Sequence, residues 1–94
     1  MSEQFLVYKA REGALKQAFQ KFRFEPRVEE ITPSDMINTG GSVYASQIKI
    51  SFTRKVGNYL RIFMYIPGSS VTEQHHLNDE EKAALEQWLN WLVV

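Results

Sequence analysis

The chain has 94 residues, 11 basic and 11 acidic side chains, and no cysteine. This length holds one domain, 1–94, and 44% apolar with 13% aromatic residues at zero net charge is the composition of a folded core, not of a disordered chain. Disulfide scaffolds and thiolate metal sites are excluded. The residues from Met1 to Lys9 form no secretory leader, and the longest apolar run, Ile62–Ile66, is far short of the roughly 20 residues a membrane span needs. The expectation is a cytoplasmic protein that makes no membrane contact.

Charge is balanced overall but unevenly placed. Residues 1–62 carry ten basic and six acidic side chains, whereas residues 63–94 carry Lys82 against Glu73, Asp79, Glu80, Glu81 and Glu86. The resulting dipole can orient an anionic partner or a second copy of the chain, although two amphipathic elements with polar faces of opposite sign produce the same count.

Taken in chain order, Gln4–Lys9 is short and rich in β-branched and aromatic types, which predicts a first strand. A helix follows from Ala10 to Phe22, with Leu15, Ala18, Phe19 and Phe22 on one stripe and Arg11, Lys16, Gln17, Gln20 and Lys21 opposite. Gly13 weakens its first turn, and Pro26 marks its end. Arg27–Ile31 reads as a brief strand. The eleven residues Thr32–Ser42 have loop composition, and a loop of that length is often functional.

A hairpin comes next. Val43–Thr53 alternates, with Ile48, Ile50 and Phe52 on one side and Lys49, Ser51 and Thr53 on the other. Gly57-Asn58 supplies turn residues that tolerate positive φ. Tyr59–Ile66 returns, with Leu60, Ile62, Met64 and Ile66 set against Tyr59, Arg61, Phe63 and Tyr65. Pro67-Gly68 stops it, and a polar stretch runs to Leu77. The final helix starts at Asn78, an N-cap that Glu81 completes as a capping box, with three acids in the first turn. Leu85, Trp88, Leu89 and Leu92 form its core stripe, which Ala84 and Trp91 widen. The predicted fold is α+β: a three- to four-stranded antiparallel sheet with two helices, in the order β-α-(β)-β-β-α.

Packing the aliphatic side of the hairpin on the helices leaves Lys49, Lys55, Tyr59, Arg61, Phe63 and Tyr65 as an aromatic and basic face. Tyr, Phe and Arg anchor protein interfaces, and rings interleaved with cations also suit single-stranded nucleic acid. The sequence pI of 6.7 and the lack of an RNP-type run weigh against nucleic acid. A helix over that face instead makes Phe63 and Tyr65 ordinary core. Lys21-Phe22-Arg23-Phe24 repeats the alternation of cation and ring. Trp91 beside Trp88, near an apolar C-terminal tail, offers a further protein contact or a homodimer seam.

No residue set argues for chemistry. His75 and His76 are adjacent in a predicted loop, where their rings tend to diverge, and metal pairs on helices sit at i, i+4. Glu29-Glu30 and Gly40-Gly41-Ser42 lack the surroundings of a carboxylate or phosphate site. The expectation is therefore a non-enzymatic interaction module without metal or cofactor, a regulator or inhibitor that binds a protein partner through the sheet face, the 32–42 loop or Trp91. The alternatives are a nucleic-acid-binding domain using the same face and, third, a small ribonuclease-type toxin using His75 or His76.

Overall fold

The structure is a computed structural model and describes residues 3–33, 48–57, 63–67 and 73–92. It is mixed α+β. Helices α1 (Glu3–Ala10) and α2 (Glu12–Ala18) precede strands β1 (Phe24–Glu30), β2 (Ile48–Arg54) and β3 (Phe63–Tyr65). A 3₁₀ turn, Gln74–His76, then leads to helix α3 (Asp79–Leu92). The sheet is antiparallel in the order β1-β2-β3, so β2 is central. Both α1 and α2 lie against β1, α2 also meets α3, and β3 meets the 3₁₀ turn.

The first segment departs from its predicted state: residues 4–9 belong to a helix. Burial explains why. Phe5, Tyr8, Leu15 and Phe19 are buried and Glu12 is partly so, a spacing of three and four that runs through both short helices. Leu6 and Val7 are left exposed. A local run of β-favouring residues yields to a longer helical period because only the helix places Phe5 and Tyr8 on the same inward stripe. The two helices break at Arg11 (φ −102°, ψ 3°). Its carbonyl accepts the N–H of Ala14 at 3.1 Å and the indole Nε1–H of Trp88 at 3.0 Å, so the break is tied to α3.

Pro26 does not sit just beyond a helix; it lies within β1 and is fully buried. Proline has no N–H to donate to a ladder, so its nitrogen must face away from β2, and among the described residues β1 is an edge strand as that requires. Val28, two residues on, shares that outward edge. Its N–H donates to Glu12 Oε2 at 2.7 Å, and its carbonyl accepts Lys9 Nζ at 3.1 Å. Side chains from the two helices thus complete a strand edge that would otherwise expose unpaired groups.

Every residue from Ile48 to Phe52 is buried. Opposite Ile50 stands Tyr65, opposite Ser51 stands Met64 and opposite Phe52 stands Phe63. Directly paired residues share a face, so Phe63 and Tyr65 lie with Ile50 and Phe52 on the helix-packed side. Phe63 stacks on Phe52 at 4.7 Å and meets Phe24 edge-on at 5.6 Å, while Phe19 meets Phe52 at 5.4 Å. Gly57 has φ 106°, the left-handed conformation expected where the hairpin turns.

Helix α3 begins as its sequence implies. The Glu81 N–H donates to Asn78 Oδ1 and the Asn78 N–H to Glu81 Oε1, each at 2.8 Å, a complete capping box. Leu85 and Trp88 are buried, and Ala84, Leu89 and Leu92 pack against the core.

Candidate interaction surface

The described residues among those expected to form one open face are not gathered on one. Lys49 is 3% exposed, on the side of β2 facing away from Ile48 and Ile50, and Ser51 beside it is also buried. Phe63 belongs to the core on the opposite side, with Tyr65 half-buried next to it. Burial, together with the nearby Tyr8 and Glu86, raises the Tyr65 phenol above its ordinary value. Tyr59, Arg61 and the loop residues 34–42 lie outside the described residues. Trp91, on α3, is 48% exposed and carries the Arg11 guanidinium 4.8 Å above its ring.

Lys55 has a different setting. Its Nζ donates to the carbonyls of Phe19 at 2.8 Å and Gln20 at 2.7 Å, placing a cation at the negative C-terminal end of α2. Its backbone N–H donates to the Arg23 carbonyl at 3.0 Å. These bonds fasten the chain leaving β2 to the turn leaving α2. Between the two segments lies a concavity of about 360 Å³ lined by Phe22, Arg23, Phe24, Arg54, Lys55 and Val56.

The lining of this notch has two parts. Phe22 packs edge-on against Phe19 at 5.3 Å, and Phe24 is anchored in the core, so the aromatic wall is rigid. Val56, by contrast, is 81% exposed. Arg23 lies over Phe24 at 4.9 Å and Lys21 over Phe22 at 5.4 Å, cation–π contacts that keep positive charge against the rings. Shallower depressions beside it bring Lys16 and Lys21, with Glu25 as the lone carboxylate of their lining. The alternating Lys21-Phe22-Arg23-Phe24 segment therefore meets the end of the hairpin strand, a convergence that neither segment reveals alone.

Arg23 also reaches away from the notch. Its Nη2 donates to Glu81 Oε1 at 2.7 Å and its Nε to Oε2 at 3.3 Å, while Nη2 approaches the His76 carbonyl at 3.5 Å. The Glu81 side chain is fully buried and that of Arg23 is 58% exposed. Burial alone would raise the Glu81 carboxyl; the hydrogen bonds from Arg23 and the Asn78 N–H, with the Arg23 charge, outweigh it and hold the carboxyl below its ordinary value. The same hydrogen bond raises the Arg23 guanidinium against a smaller opposing effect of burial.

The histidine rings do not diverge. His75 and His76 lie 4.3 Å apart at 34°, and His76 rests on Phe63 at 5.1 Å, extending the aromatic stack to the surface. Among the described residues, no three His, Cys, Asp or Glu side chains are placed to hold a metal ion. Glu29 and Glu30 pair with Lys49 and Ile48 respectively, which sends them to opposite faces of β1. No helix among the described residues is long and apolar enough to cross a membrane.

Fold and surface together define a small α+β domain, with a three-stranded antiparallel sheet among the described residues and a basic, partly apolar notch at the end of α2. No protein-family model matches the chain, and neither does any curated protein or solved structure.

Proposed function

We propose that this protein is a non-enzymatic interaction module, a regulator or inhibitor that binds a protein partner through the notch formed by Phe22, Arg23, Phe24, Arg54, Lys55 and Val56. The observation that carries this reading is the notch itself, which joins rigid rings, cations and one conspicuously exposed aliphatic side chain. Its volume lies at the low end of ligand sites, which run to roughly 300–1,000 Å³. It suits a side chain of a docking segment better than a large cofactor. Rings and arginines at such a place are the usual anchors of protein contacts.

Selection of random peptides displayed on phage tests the reading, with the wild-type domain and the Arg54→Glu/Val56→Asp variant as parallel baits. Peptides enriched on the wild type should lose binding to the variant. Failure to enrich any peptide, or enrichment indifferent to the variant, would overturn it. Salt-sensitive binding of an oligonucleotide at the same residues would replace the protein partner with a nucleic acid.

A further inference from the structure

Resting on that reading of the notch, we infer that its occupant is an acidic peptide segment with one apolar anchor residue. Two independent properties of the site set the two halves of this description. Phe22 and Val56 present apolar surface in a concavity with room for one large side chain, backed by the buried Phe24 ring, and Val56 gains burial only when something covers it. Around it, among the described residues, the charge is mostly positive. The notch and its adjoining depressions are lined by five cationic residues and one carboxylate, Glu25, whose nearest cation is Lys16 at 3.9 Å.

Internal partners reduce that charge without cancelling it. Glu81 takes two donors of Arg23, the Phe19 and Gln20 carbonyls take Lys55, and Lys16 lies 3.8 Å from Glu12 and 3.9 Å from Glu25. A guanidinium has five N–H donors, and more than half of the Arg23 side chain faces solvent, so it retains the capacity to meet a second carboxylate. Lys21, over the Phe22 ring, adds charge beside the rim. A basic occupant would be repelled there, and a wholly polar acidic one would leave the rings and Val56 unused. Carboxylates flanking a single Phe or Leu satisfy both halves, the cations acting chiefly on encounter and the anchor on residence.

The test is fluorescence anisotropy of the full chain with four labelled probes: a short peptide with one phenylalanine among aspartates and glutamates, its counterparts with serines or lysines in place of the acids, and an oligothymidylate. The acidic peptide should bind about tenfold more tightly than the serine peptide, equivalent to about 1.4 kcal/mol. Its affinity should fall with added salt, the lysine peptide should not bind, and Val56→Asp should abolish acidic-peptide binding. Equal affinity for the serine and acidic peptides, still lost in Val56→Asp, overturns the acidic preference and leaves the notch as a docking site. Absence of any Val56-dependent peptide binding overturns both this inference and the reading beneath it. Oligothymidylate binding tighter than the acidic peptide, and lost in Val56→Asp, assigns the notch to nucleic acid and overturns the inference as well.

Discussion

Glu12 accepts the backbone N–H of Val28 at 2.7 Å through Oε2, the same oxygen that holds Lys9 Nζ at 2.8 Å. Lys9 in turn donates to the Val28 carbonyl. One ion pair on the helices therefore stands where a neighbouring strand would donate and accept, and it does so on the edge that Pro26 has already deprived of a donor.

Glu12→Ala removes the acceptor and strands the Val28 N–H at a partly buried position. The expected loss is about 1–3 kcal/mol in urea unfolding, the range for an unsatisfied buried donor. Val28 amide exchange should quicken more than that of Phe52 on the central strand. Equal acceleration at both residues would mean that Glu12 acts on global stability rather than on the edge.

Glu12 and Glu81 make stability depend on pH with a definite sign. For Glu12, burial is outweighed by its bonds to Lys9 and Val28 and by the Lys9 and Lys16 charges, so its carboxyl, like that of Glu81, lies below the ordinary 4.5. A carboxyl lowered in the folded state contributes stability in full above its unfolded value and loses it as pH falls through the folded one. The urea midpoint should thus be level from neutrality to about pH 5 and decline below about 4.5. Glu81→Gln should be less stable at neutral pH but decline less steeply. Parallel curves would remove Glu81 as a source of the acid sensitivity.

The Asn78–Glu81–Arg23 assembly serves the α3 cap and the notch wall at once. Asn78→Ala breaks one half of the capping box and should cost about 1 kcal/mol. Glu81→Ala also leaves Arg23 without its carboxylate, and should cost about 2–4 kcal/mol, short of the full penalty for a wholly buried pair because Arg23 is largely exposed. Chemical denaturation of both variants gives the comparison; a Glu81→Ala loss no larger than that of Asn78→Ala would mean the ion pair adds nothing beyond the cap.

The two tryptophans should respond unequally to substitution. Trp88→Phe keeps a ring beside Tyr8 but abandons the bond to the Arg11 carbonyl, with an expected loss of about 1–3 kcal/mol. Trp91→Ala forfeits a half-exposed contact and a surface cation–π pair, together about 1 kcal/mol or less. A larger loss at position 91 than at 88 would show that the Arg11–Trp91 contact is structurally dominant.

Much of this architecture was legible in the residues. The capping box at Asn78 and Glu81 requires only local chemistry, and it forms as read. The alternation of both hairpin strands was visible too, but alternation does not say which face of one strand joins which face of the next. A two-residue turn at Gly57-Asn58 demands that even positions of β2 face odd positions of β3, the observed register, and following that turn inward would have put Phe63 beside Phe52. At the N-terminus the signal was the spacing Phe5, Tyr8, Glu12, Leu15 and Phe19, longer than the run that suggested a strand. The notch was beyond sequence reasoning because it joins Phe22–Phe24 to Arg54–Val56 across the fold, and no local pattern encodes that meeting.

Arg11 has one further consequence. Trp88 hydrogen-bonds to its carbonyl and Trp91 lies under its guanidinium, and these are the chain's two tryptophans. Indole emission is thus a built-in reporter of the junction between the first two helices and α3. Unlabelled protein can be followed through unfolding by its own fluorescence. A partner that shifts the emission would announce contact with the Arg11 junction.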